Sequence, residues 1–171
     1  MKAYWEQLRL YPDKALKIFI STVLKPVGSR RYRRFIILSR RRTGSSLMHS
    51  YLNASPHILA RGEVFQLLRG KRYQDILDWV FSKHPFFIKA VGLKIHYDHP
   101  ADNPGSGLCD HLRELPGLHV IHLRRNNILR SCLSEKLAHL SGVWTTAKGS
   151  DPSRTTPGNR PRIEFSPEEL E

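Results

Sequence analysis

Cysteine is nearly missing from this chain. Only Cys109 and Cys132 occur among 171 residues, which excludes a disulfide framework and a paired C-x-x-C metal site. Long apolar runs are also missing. The longest near the N-terminus, Ala15 to Leu24, is interrupted by Lys17 and falls short of the roughly 20 residues that span a bilayer. It has no small-residue cleavage site, so no signal peptide is read, stable membrane insertion is not expected, and the expected location is cytoplasmic. No internal repeat is evident. Acidic residues are few, 15 Asp and Glu against 28 Lys and Arg, for a net charge of +13.

That excess favours anionic partners and speeds their encounter. Nucleic acid, an anionic membrane and a bis-phosphorylated nucleotide all meet the charge requirement. Seven arginines fall between Arg30 and Arg42, most of them in a connector where a solvated surface accounts for them. Arg42 and Arg125 differ, because each stands at the end of an apolar segment where a ligand could lie. A nucleic-acid-binding module is the alternative reading, but aromatics do not interleave regularly with the basic residues, and no helix-turn-helix or zinc spacing is visible.

Hydrophobic residues make up 40% of the chain, enough for one core, and the length suits one domain. Asp13 and Pro26 bracket a helix over 13–24. Phe35 to Leu38 reads as a buried strand and Ser45 to Asn53 as a helix. Ile76, Leu77, Val80 and Phe81 mark a helix over 72–83, Gly92 to His96 a strand, Leu118 to Leu123 another. Ile128, Leu129, Cys132, Leu133, Leu137 and Leu140 form a helical stripe. Asp98 to Asp110, with Pro100, Pro104, Gly105 and Gly107, reads as a loop. Strands alternating with helices predict an α/β fold with a parallel sheet flanked by helices. Ligands in such sheets bind beyond the carboxyl ends of strands.

At the end of the first strand comes Arg41-Arg42-Thr43-Gly44-Ser45-Ser46, followed by Leu47, Met48, Tyr51 and Leu52 at helical spacing. A strand, a small hydroxyl-rich turn and a helix present free backbone N–H groups and a positive helix end to a phosphate. The nucleotide loop G-x-x-x-x-G-K-S/T does not fit, since Ser39 stands at its first Gly and Ser45 at its Lys. The turn instead resembles the 5′-phosphosulfate loop of sulfotransferases: a basic residue, Ser or Thr, Gly, then two further Ser or Thr.

Other segments resemble the same family in the same order. They are Ser55-Pro56 with Gly62-Glu63-Val64-Phe65, Val91-Gly92-Leu93-Lys94-Ile95-His96-Tyr97, and His119 to Leu123 running into Arg124-Arg125 with Ser134 two turns on. Ala138, Gly142 and Trp144 continue the likeness. The nearest resemblance is to bacterial carbohydrate and lipopolysaccharide sulfotransferases of the trehalose and nodulation-factor type, over roughly residues 33–146. It implies a P-loop-like three-layer fold, with an N-terminal helix and basic connector over 1–32, the nucleotide-binding core over 33–146, and a flexible loop with the start of a further helix over 147–171. Members of this family continue past that point, so the chain looks C-terminally truncated or a short variant, and an inactive chain that only binds nucleotide stands as a second alternative.

The resemblance also implies the chemistry. The donor would be 3′-phosphoadenosine 5′-phosphosulfate, with no metal, and the acceptor a hydroxyl on a carbohydrate or lipid-linked sugar. Arg41, Arg42, Thr43, Gly44, Ser45 and Ser46 would hold the 5′-phosphosulfate, with Arg42 acting on the bridging oxygen. Arg125 and Ser134 would grip the 3′-phosphate, Arg124 being the rival to Arg125. Here Asn126-Asn127 stands where many relatives have Asp-Pro. Glu63 is the expected general base, with His96 and His99 as rivals. Lys94 is ambiguous, and Trp144 suits either an acceptor pocket or a core. Acceptor identity and oligomeric state stay open at this point.

Overall fold

A computed structural model of the protein describes residues 28–142. They divide into two compact units, residues 28–40 with 44–123 and residues 41–43 with 124–142. The expected helix over 13–24, Trp144 and the segment from 147 onward lie outside the described residues.

The first unit is built on four strands, β1 (Arg33–Ser39), β2 (Ile58–Arg61), β3 (Ala90–His96) and β4 (Leu118–Leu123). They form one sheet in the order β2-β3-β1-β4, and every pairing is parallel. Three helices connect them: α1 (Ser45–Ala54), α2 (Tyr73–Val80) and α3 (Leu108–Glu114). From β1 the chain passes over β3 to reach β2, whereas the next two connections run the opposite way across the sheet. Right-handed crossovers then place α1 on one face and α2 and α3 on the other.

The packing follows that rule. Phe35, Ile37, Ala60, Met48 and Leu52 cluster on the face of α1. Ile36, Val91, Leu93, Ile95 and Phe65 pack with Leu77, Val80, Leu108 and Leu112 from α2 and α3. The fold is therefore the expected three-layer α/β arrangement of a parallel sheet between helices. Alternation explains how one strand serves two cores: Phe35 and Ile37 point one way, Ile36 the other.

Most predicted elements occur within a few residues of their expected bounds. Two were not evident from pattern. β2 is only four residues long and lies on the edge of the sheet, so its identity comes from pairing with β3. The Pro- and Gly-rich stretch expected as a loop ends in the start of α3, which Gly107 opens at φ 75°.

Close packing shows at Gly92, whose register partner is Phe35. A Cβ there would collide with the Phe35 carbonyl oxygen and ring. Since the obstacle includes backbone, it cannot simply rotate away. Gly92→Ala should therefore destabilise the fold by about 1–3 kcal/mol. The denaturant midpoint of the variant, compared with wild type, checks this, and an unchanged midpoint would contradict the packing described.

Candidate active site

The carboxyl ends of the strands carry the polar side chains of the first unit. On β3, Lys94 and His96 are two residues apart and so share one face. It is the face that Ala90 and Gly92 share with the α1 cluster, opposite Val91, Leu93 and Ile95. Ser39 ends β1 directly beside His96 in the register.

Glu63 follows β2 and meets these groups. Its Oε1 lies 2.7 Å from Lys94 Nζ and 3.2 Å from His96 Nε2. Its Oε2 lies 3.8 Å from His99 Nε2. Lys94, whose side chain is 9% exposed, also donates to Ser46 Oγ at 3.2 Å. Its ammonium thus links the carboxylate to the first turn of α1.

The ring hydrogens follow from these partners. A carboxylate only accepts, so the Nε2 of His96 donates to Glu63. The Nδ1 lies 3.1 Å from Ser39 Oγ and 3.0 Å from Ser39 O. A neutral ring accepts there from the hydroxyl, and a charged ring donates to the carbonyl. His99 Nδ1 accepts from His96 N at 3.3 Å, which leaves its hydrogen on Nε2, facing Glu63. Ser39, His96 and Glu63 stand in the order of a nucleophilic triad, but Ser39 is fully buried, so its hydroxyl meets no substrate in this arrangement. Among the described residues, no group of three or more His, Cys, Asp and Glu is arranged to hold a metal ion.

The first turn of α1 is open in a specific way. Its N-cap is Gly44 at φ 91°, and no side chain caps the helix. Ser46 is exposed and Ser45 buried. The left-handed conformation suits Gly, and the first N–H groups are not consumed by a side-chain cap.

In the second unit, Asn127 caps α4 (Ile128–Ser141) by accepting from Arg130 N at 2.8 Å. Arg42 Nε donates to Ser134 Oγ at 2.9 Å, and Arg125 Nη1 donates to the Arg42 carbonyl at 3.0 Å. Arg41 Nη1 lies 3.8 Å from Glu135 Oε1. Arg124 is exposed while Arg125 is partly buried. Arg42 has φ 60°, a backbone region costly for a residue with a Cβ and concentrated at functional sites.

Of the residues expected from sequence, Gly44, Ser45, Ser46 and Glu63 therefore belong to the first unit. Arg41, Arg42, Thr43, Arg125 and Ser134 belong to the second. Arg42, Arg125 and Ser134 are joined by hydrogen bonds, and Ser46 and Glu63 are joined through Lys94. What the sequence left ambiguous was Lys94 and His96. The signal was their spacing of two on a strand, which puts both on one face.

The hydrogen-bond donors around Glu63 determine its charge. The His96 hydrogen bond, against the opposing cost of burial, and then the Lys94 hydrogen bond and charge hold its carboxyl at about 2 instead of the ordinary 4.5. A folded pKa below the unfolded one adds stability above about pH 4.5, which is lost as pH falls toward about 2. With the carboxylate partly exposed, we expect about 1–3 kcal/mol from this source. Glu63→Gln should therefore flatten the loss of stability over that range. Urea unfolding as a function of pH checks it, and parallel curves for variant and wild type would contradict the linkage. No family model matches the chain, and no solved structure matches it. The sequence is similar to Nodulation protein H of Rhizobium tropici, with 31% identity over 149 residues, covering 80% of this chain and 56% of that protein's length.

Proposed function

We propose that this protein is a sulfotransferase that moves a sulfuryl group from 3′-phosphoadenosine 5′-phosphosulfate to an acceptor hydroxyl on a carbohydrate or glycolipid. The observation that carries this reading is Lys94. It lies 2.7 Å from the carboxylate of Glu63 and 3.2 Å from the Ser46 hydroxyl at the uncapped start of α1. A carboxylate, a fixed cation and a helix start without a side-chain cap stand together at the end of the sheet, which suits a proton acceptor and an anion site. The motifs in sequence order and the similarity to Nodulation protein H support the same reading.

The chemistry needs two oxygens in line with sulfur and donors for the negative charge that spreads over the sulfuryl oxygens. The acceptor oxygen bonds to sulfur, and its proton passes to Glu63. The bond from sulfur to the bridging oxygen of the 5′-phosphate breaks, and the 3′,5′-bisphosphate leaves. Glu63 is a carboxylate at any pH well above about 2, so it stands ready to accept, but weakly. Moving the Lys94 hydrogen bond from Glu63 toward the developing charge beside Ser46 would raise the basicity of the carboxylate as the proton arrives. This role makes Glu63 the base and His96 its positioning residue.

Thr43, Gly44, Ser45 and Ser46, with Arg41 and Arg42, are contiguous in sequence, and we assign them to the 5′-phosphosulfate. The guanidinium of Arg125 and the hydroxyl of Ser134 we assign to the 3′-phosphate; both already hydrogen-bond to Arg42. No metal enters this scheme.

Calorimetric titration with adenosine 3′,5′-bisphosphate and with adenosine 5′-monophosphate tests the donor. The bisphosphate should bind at least about tenfold more tightly, the worth of one charged hydrogen bond. Arg125→Ala should remove that preference while binding of the monophosphate stays the same. Equal affinities in the unaltered protein would overturn the reading. Arg42→Ala should abolish transfer with the fold retained, as judged by circular dichroism. Turnover persisting in that variant would remove Arg42 from the chemistry.

A further inference from the structure

The segment between β2 and α2, with the first turns of α2, walls a cleft of about 620 Å³ in the first unit. Its size lies within the roughly 300–1,000 Å³ of small-molecule sites. Glu63 is one of its lining residues. Leu67, Ile76 and the indole of Trp79 supply apolar surface, and Lys71, Asp75 and Gln66 supply polar groups. Leu67 and Trp79 are 42% and 47% exposed, so each offers a large apolar surface to a ligand.

The walls are braced. Asp102 accepts from Leu68 N at 2.8 Å and from Arg69 N at 2.7 Å. Ala101 N donates to Gln66 O at 3.2 Å. The Arg61 guanidinium sits 4.5 Å from the Trp79 ring centroid, which holds the indole by a cation–π contact on one face. A cleft walled in this way exists before its ligand arrives.

The lining selects a chemical class. The lining carries both signs, Arg69 and Lys71 beside Asp75 and Glu63, so a purely anionic or purely cationic ligand would meet like charge as well as opposite charge. A hydrocarbon would strip water from Lys71, Asp75 and Gln66 without replacing their hydrogen bonds. A sugar meets both demands, because its hydroxyls donate to carboxylates and accept from ammonium and amide groups, while its C–H face packs on an aromatic ring. We propose that this cleft is the acceptor site and receives a neutral saccharide, laid against Trp79 and Leu67 with one hydroxyl directed to Glu63. The identification as an acceptor site rests on the sulfuryl-transfer reading above. The identification as a saccharide site rests on the cleft.

Saturation-transfer NMR on the 171-residue chain, without nucleotide, tests it with maltose, cellobiose and N,N′-diacetylchitobiose at millimolar concentration. At least one should receive saturation, strongest on the protons of one ring face. Trp79→Ala should weaken that binding about tenfold, and Lys71→Ala should weaken it as well. Lys89→Ala, just before β3, should leave it unchanged. Circular dichroism of each variant separates lost binding from lost folding, and Lys71→Ala carries the test if Trp79→Ala unfolds. Absence of saturation for all three sugars, or binding indifferent to both Trp79→Ala and Lys71→Ala, overturns the proposal. Titration of the same samples with adenosine 3′,5′-bisphosphate keeps the two readings apart. Bisphosphate binding without saccharide binding removes only the cleft assignment. Saccharide binding at Trp79 without bisphosphate binding supports the cleft and removes the transfer reading.

Discussion

An ammonium inside a parallel sheet is expensive, and the first unit is arranged around meeting that cost. Lys94 is buried on the central region of the sheet, where an unpaired charge would cost several kcal/mol. Glu63 answers it at 2.7 Å. The pair draws the chain after β2 over the carboxyl end of β3, and His96 and His99 close around the same carboxylate. A buried ion pair is weak support for stability as such, since an apolar pair of similar volume often does as well. The proposed function gives this fixed cation and fixed carboxylate at the end of a parallel sheet a role beyond stability.

The fold brings these charged side chains to one place by a short chain of causes. Parallel strands point all their carboxyl ends the same way. The order β2-β3-β1-β4 sends the chain from β1 and from β3 to opposite faces, which opens the crevice where ligands of such sheets bind. Period-two alternation turns Lys94 and His96 toward α1 and leaves Val91, Leu93 and Ile95 for the core shared with α2 and α3. The strand therefore gives one face to the apolar core and the other to the buried polar cluster. Gly92 beside Phe35 keeps β3 close to β1.

Much of this was legible in the residues. The apolar strands at Phe35–Leu38 and Leu118–Leu123 and the helical stripe from Ile128 stand out because burial repeats with the period of the element. The Thr43-Gly44-Ser45-Ser46 turn stands out because a short, hydroxyl-rich segment follows a buried strand, and a helix does start at Ser45. β2 and α3 were not legible. Each is short, and each owes its existence to neighbours: β2 to its pairing with β3, α3 to the burial of Leu108 and Leu112 against the sheet. Propensity in so few residues is too weak to announce an element when tertiary contacts supply most of its stability.

The amino-acid sequence by itself determined the α/β class, the strong positive charge, the hydroxyl-rich turn and the identity of Glu63 as a carboxylate in a Gly-Glu-aromatic setting. These are local properties, carried by composition and by spacing along a single element. Tertiary structure alone decided that Glu63 meets Lys94 and His96, residues 31 and 33 positions away in the chain. It also decided that Ser39 is buried and that Trp79 borders the same cleft as Glu63. Those facts depend on which strands lie side by side and in what register. Pairing between distant segments is set by the summed burial of the whole sheet, and no single stretch of sequence contains it.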